Sequence, residues 1–172
     1  MKDQVQYPLQ IKISFSSQSY TQVNGNYIYI NPMIVGKTKD NPFKQAERIY
    51  SIDFNCNRQF SSTVTVKIPS TYEIKEVPSD RKIIIGTNDI TYARNVLLND
   101  SIVQVKNSFI VKKTQYPQSS YQEIQDYFGK IVNIESDQIV LQKKVVPSVT
   151  TRTTEPVIEK PKDSSQKQRR HK

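Results

Sequence analysis

Hydrolysis or acyl transfer by a thiol requires a thiolate nucleophile, a base that activates it, and a carboxylate or amide that orients the base. This 172-residue chain has a single cysteine, Cys56, and a single histidine, His171. His171 stands next to the last residue, in a stretch rich in Ser, Lys and Arg. The sequence therefore predicts no imidazole held within about 3 Å of a thiol, the reach that proton transfer requires. Cys56, within DFNCNRQF, reads as a turn or strand-edge residue. One cysteine also excludes an intrachain disulfide and a thiolate metal cluster. Among carboxylates, Asp126, Glu135 and Asp137 are spaced as surface residues around a helix end rather than as a metal cage. No Gly-rich phosphate loop is present. The glycosylation sequon Asn99-Asp100-Ser101 is accounted for by a hairpin turn. The residues thus assign no catalytic, metal or cofactor-binding position and no cofactor. The chain is read as not an enzyme, with its binding residues unassigned.

Binding chemistry has two sources to consider. Ten Tyr and six Phe, with no Trp, are enough to stack bases of a single strand. Aromatic residues also favour strands, and most of these alternate as core or rim positions do. The formal net charge is +9, and seven basic against three acidic residues fall from Val145 onward, so +4 of it is in the tail. Lys167, Arg169, Arg170 and Lys172 form the sharpest basic cluster, able to touch phosphates without sequence preference. A charged terminus is more commonly just solvated.

These groups must be positioned by a mainly β chain. Leu9, Ile11, Ile13 and Phe15 alternate with polar residues, the period-2 pattern of a half-buried strand. Asn24-Gly25 signals a hairpin leading to a strand over residues 27–30. Residues 31–48, with Pro32, Gly36 and Asn41-Pro42, read as a long ordered loop, a feature that often carries function or packs over an open sheet edge, and as the most plausible docking surface of the chain. Strand character resumes at 49–54. Val64, Val66 and Ile68 alternate up to Pro69. Tyr72, Ile74 and Val77 continue the sheet, and residues 82–85 suit an interior strand. A hairpin over 89–113 is expected to turn at Asn99-Asp100. That register sets Arg94 opposite Val105 on the inner face, an expensive burial if unpaired. Either a β-bulge shifts the register, the favoured remedy, or the middle of the hairpin lies at the sandwich rim.

Residues 109–144 are the best-specified stretch. Ser120-x-x-Glu123 has the capping-box pattern. Tyr121, Ile124, Phe128 and Ile131 fall on one helical stripe, with the helix expected at about 119–134. Burying four such side chains, at about 1.5–3 kcal/mol each, outweighs the ~1 kcal/mol cost of Gly129 within the helix. Ile139, Val140 and Leu141 make a closing strand, expected at about 138–142. The predicted fold is an antiparallel β-sandwich over 1–144 with one amphipathic helix. A disordered Thr/Pro/Lys/Arg tail is expected over 145–172. Residues 1–15 hold no apolar run of signal-peptide length, and no stretch approaches the roughly 20 apolar residues of a membrane span.

Asn41-Pro42-Phe43 with Arg48, Asp53-Phe54, and the Pro69, Tyr72, Pro78 segment occur in an order that is distinctive when taken with the chain's end. That end has Tyr116-Pro117, Tyr121, Phe128, Ile131-Val132, Gln138-Ile139-Val140-Leu141 and Lys143-Lys144. From Pro8 to Lys144 the chain resembles the C-terminal β-sandwich domain, of unknown function, of bacterial transglutaminase-like proteins. The resemblance implies an accessory domain that follows a catalytic core and packs against it or another protein, in proteins that are usually exported. Two departures stand out: the catalytic core is absent, and the basic tail is longer than the family pattern. A fragment, a split gene or an independent descendant is therefore expected. The function expected from the sequence is a non-enzymatic accessory or interaction domain. The alternative is a small basic module binding nucleic acid or another polyanion through its C-terminal tail.

Overall fold

The computed structural model describes residues 12–14 and 16–145. The predicted tail and most of the first predicted strand (Leu9, Ile11, Phe15) lie outside the described residues; Ile13 is in no strand and is 74% exposed. The elements run β1 (Thr21–Asn24), β2 (Tyr27–Ile30), β3 (Ile52–Asp53), β4 (Arg58–Lys67), β5 (Tyr72–Glu76), β6 (Arg81–Ile85), β7 (Ile90–Asn99), β8 (Ile102–Val111), β9 (Gln115–Tyr116), α1 (Tyr121–Ser136) and β10 (Ile139–Lys143). All pairings are antiparallel. One four-stranded sheet has the order β1-β2-β10-β5, the other β4-β8-β7-β6, and β3-β9 form a short ribbon. The expected β-sandwich with one helix is therefore the fold. No helix among the described residues is long and apolar enough to cross a membrane.

The long hairpin shows how the core is divided. Along β7 and β8 the inward positions are Ile90, Tyr92, Arg94 and Val96 facing Val111, Phe109, Asn107 and Val105. At one end Val103, Val105 and Ile68 pack against Ile139 and Leu141 of the other sheet. At the opposite end Ile85, Ile90, Tyr92 and Val111 pack under Tyr121, Ile124, Tyr127, Phe128 and Ile131 of α1. Sheet-on-sheet packing thus covers one half of the inner face, and helix-on-sheet packing covers the other.

Between the two apolar clusters runs a polar rung. Register places Ser62, Asn107, Arg94 and Arg81 side by side across the four strands. Arg94 is 2% exposed. Its Nη2 donates to Asp137 Oδ2 at 2.6 Å, Nη1 to the Ile134 carbonyl at 2.6 Å, and Nε to the Ser79 carbonyl at 2.9 Å. Ile134 is in the last turn of α1 and Asp137 is its C-cap, so a cation meets the carbonyl end of a helix whose last turn carries no basic residue of its own. Arg94 ties the sheet, the helix end and the start of β10 together.

Several expectations need correction. The hairpin loop is Asp100-Ser101, not Asn99-Asp100, since Asn99 pairs with Ile102. Moving the loop by one residue shifts every partner by two, so each side chain keeps its face while Arg94 meets Asn107 instead of Val105. The ladder is continuous, and the expected bulge is absent from it. The first hairpin turns likewise one residue late, at Gly25-Asn26, with Gly25 at φ 57°. The strand expected over 49–54 is only Ile52–Asp53, because β9 offers a partner just two residues long. The strand over 82–85 is an edge strand, hydrogen-bonded to β7 alone, and its burial comes from α1 above it. Ser120 makes no capping hydrogen bond: the 3-10 turn Gln118–Ser120 leads directly into α1, which runs Tyr121–Ser136.

Replacing Arg94 by Ala leaves two carbonyls and Asp137 without their donor. An unfolding loss of about 3 kcal/mol is expected. Urea denaturation measures it, and a loss below ~1 kcal/mol would show that the rung is not a structural hub.

Candidate functional site

The long loop is ordered because α1 supplies hydrogen-bond partners along it. Asn31 Nδ2 donates to the Glu135 carbonyl at 3.2 Å, and Asn41 Nδ2 donates to the Gln125 carbonyl at 2.8 Å. Gln125 Nε2 answers to the carbonyls of Phe43 and Gln45 at 2.8 and 2.9 Å, and the Tyr121 hydroxyl donates to the Gln45 carbonyl at 2.8 Å. Asn31 and Asn41 each also turn the backbone by accepting from the amide two residues on. Phe43 is then inserted beside Tyr121, Phe54 and Phe128. The loop is latched onto α1 as an ordered cover.

Beneath the cover lies a cavity of ≈ 280 Å³. Its walls include Phe60 of β4, Phe109 of β8 and Phe128 of α1, and its polar lining includes Tyr92, Asn107 and Glu135. Phe109 and Phe128 meet edge to face at 6.0 Å. Arg58 lies 5.8 Å over the Phe109 ring. Gly36 closes one side, at φ 75°, so near Phe60 that a Cβ there would come within 2.7 Å of the ring. The left-handed backbone at that position favours glycine, and any larger residue would have to push the Phe60 ring aside.

Glu135 is the feature that sequence reasoning missed. It was read as a surface carboxylate, yet it is 4% exposed. Its Oε2 accepts from the Thr38 amide at 2.6 Å. The Tyr92 hydroxyl faces the same carboxyl and donates to Asn107 Oδ1 at 3.2 Å. Asn107 Nδ2 in turn points to Met33 Sδ at 3.0 Å. Burial raises the Glu135 carboxyl above its ordinary value, against the lowering effects of the Thr38 amide, the Tyr92 hydroxyl and the Lys37 charge. Burial likewise pushes the Tyr92 phenol up, reinforced by the Glu135 charge, so it stays a neutral donor. A sequence signal did exist: Glu135 falls four residues after Ile131, and Ile124, Phe128, Ile131 and Glu135 continue one stripe at helical spacing.

The other sequence candidates are not brought together. Cys56 is exposed, in the turn before β4, and His171 lies outside the described residues. Asp126 and Asp137 are exposed, and Asp137 is engaged by Arg94. Among the described residues no three His, Cys, Asp or Glu gather as a metal site. Glu135 is the one acidic group lining the cavity, so the paired carboxylates of a glycosidase are not assembled there. The arrangement can hold and hydrogen-bond a small guest.

A conserved-domain family covers this architecture from the middle of the first hairpin to the closing strand. Residues 26–141 match DUF3858, described as a domain of unknown function with a solved structure. The chain belongs to the DUF3858 family. The match takes in β2 to β10, including the latched loop, Arg94 and Glu135. No curated protein matches the sequence. Among solved structures, a presumptive protease from Parabacteroides distasonis shares 11% identity over 57% of this chain and 19% of that chain, with a TM-score of 0.47. The DUF3858 chain thus spans about a fifth of that protein's length.

Glu135 carries a pH dependence of known sign. A carboxyl whose folded pKa exceeds its unfolded value binds its proton more tightly when folded, so its ionisation disfavours folding. Nothing is lost below the ordinary value of 4.5, and stability falls as pH rises from there through the folded value. Lys37 and Tyr92 are the other titratable groups facing it, and both lower the Glu135 value against the larger effect of burial. Glu135→Gln, which keeps an acceptor for Thr38, should therefore gain stability over the parent at neutral pH and match it near pH ~4. Urea midpoints at the two pH values test this, and a variant penalised more at neutral pH than in acid would contradict it.

Proposed function

We propose that this DUF3858 chain is a non-enzymatic accessory domain whose work is to pack against a protein partner. The partner that the sequence resemblance favours is a transglutaminase-like catalytic domain. The observation that carries the docking reading is the pair Ile49 and Tyr50, 85% and 78% exposed on a braced backbone. Arg48 folds back over this tip, its Nε donating to the Tyr50 carbonyl at 3.1 Å and its Nη2 to the Ser51 carbonyl at 3.4 Å. On the far side Ile52 is buried in the β3-β9 ribbon. Two large apolar neighbours held outward on a fixed turn lose little conformational entropy on docking. Tyrosine, with an apolar body and a polar tip, is a frequent binding hot spot.

The latch sharpens where contact is made. Asn31, Thr38, Asn41 and the Phe43 and Gln45 carbonyls are spent on α1, which favours the turn immediately after this loop as the presented surface. The absence of a second cysteine or histidine in the sequence favours a non-catalytic role.

The test is titration calorimetry of the full chain against a purified transglutaminase-like catalytic core from the same organism. Association is expected, and Ile49→Asp with Tyr50→Asp should weaken it by roughly 30-fold, the equivalent of about 2 kcal/mol. Both residues are exposed, so the unfolding midpoint should stay put. No association, or equal affinity for the double variant, would end this reading.

A further inference from the structure

Beyond docking, the cavity itself has an unfilled chemical requirement. Glu135 is nearly fully buried and has no ion-pair partner among the described residues; the ion pairs there are Lys75–Glu73, Arg94–Asp137 and Lys113–Asp89. The buried cation Arg94 is fully committed to Asp137 and two carbonyls, and Lys37 acts on Glu135 through its charge without an ion pair to it. A carboxylate kept out of water with no salt-bridge partner is costly, and a cation arriving in the cavity beside it would relieve that cost. The walls suit a cation as well. Phe60, Phe109 and Phe128 supply apolar surface and ring faces; Arg58, itself in the lining, already covers the Phe109 ring, so the place left for a guest's charge is at Glu135 and its methylenes lie along the rings.

Size and donor geometry narrow the guest. At ≈ 280 Å³ the cavity is at the small end of ligand pockets, which run from about 300 to 1,000 Å³. A nucleotide or an oligosaccharide is too large for it. Glu135 Oε2 is already taken by the Thr38 amide, which leaves no free pair of oxygens for the planar fork of a guanidinium. A compact ammonium needs only one oxygen.

We propose that the cavity between the latched loop, α1 and β8 binds a primary alkylammonium group, with the charge on Glu135 and the methylenes among Phe60, Phe109 and Phe128. A free amine and the lysine side chain of a polypeptide present the same chemistry.

The experiment is a titration of the isotope-labelled full chain, at mildly alkaline pH, followed by backbone amide NMR. The probes are n-butylammonium chloride, n-butanol as the neutral counterpart, and a capped Gly-Lys-Gly peptide. Saturable shifts at Gly36, Thr38 and Asn107 are expected with the ammonium and much weaker ones with the alcohol. Glu135→Gln should weaken the ammonium by at least about tenfold, with its amide dispersion elsewhere unchanged. Phe60→Leu, at the exposed rim, provides a second variant: it should weaken the ammonium and whatever binding the alcohol shows in the same proportion, because both lay their methylenes against that ring. Peptide binding at least as tight as that of the amine assigns the site to lysine side chains; amine binding with the peptide excluded assigns it to free amines. Absence of saturable cavity shifts, equal binding of the alcohol, or ammonium binding indifferent to both variants would overturn the proposal.

Discussion

Arg94 is the constraint around which the domain is arranged. A guanidinium at 2% exposure can be tolerated only where its charge and its donors are all answered. Here the answers come from three separate segments: the Ser79 carbonyl before β6, the Ile134 carbonyl at the end of α1, and Asp137 before β10. Any arrangement that moved the helix or the closing strand would strand one of those donors. The polar rung therefore does for register and orientation what the two apolar clusters, being non-directional, cannot do.

That division of labour explains why α1 lies where it does. Below the rung the inner face of the β4-β8-β7-β6 sheet is covered by the other sheet, and above it by the helix. The helix end pinned by Arg94 also carries Glu135, two residues before the C-cap. Fixing the helix end brings that carboxyl in between Tyr92 and Asn107 of the sheet and Thr38 of the loop. The cavity is thus a by-product of joining two kinds of packing at a polar seam, where side chains chosen for hydrogen bonding do not fill space as aliphatic ones do.

Much of the architecture was legible in the chain. The alternation through Val64 and Val66, the helix stripe of Tyr121, Ile124, Phe128 and Ile131, and the strand of Ile139 to Leu141 all reside where period and composition place them. The latched loop was legible as a loop but not as a cover, because its partners, Gln125 and Glu135, stand more than eighty residues away. The candidate site was almost illegible. Glu135 looks like a surface acid among Asp126 and Asp137, and only the continuation of the helix stripe hints otherwise. Exposure of Ile49 and Tyr50 was hidden for the opposite reason: they read as strand residues until β9 proves too short to pair with them.

What the sequence determined by itself was periodicity, and hence which residues share a face. That survives errors of turn placement, since a one-residue change in a hairpin loop moves partners by two and leaves every face intact. What the tertiary structure alone decided was who stands across from whom. Arg94 appeared stranded opposite a valine and is instead satisfied by groups from three distant segments. Apolar burial is additive and short-ranged in pattern, so it is written along the chain. The fate of a buried charge depends on partners that only chain closure brings within hydrogen-bonding distance.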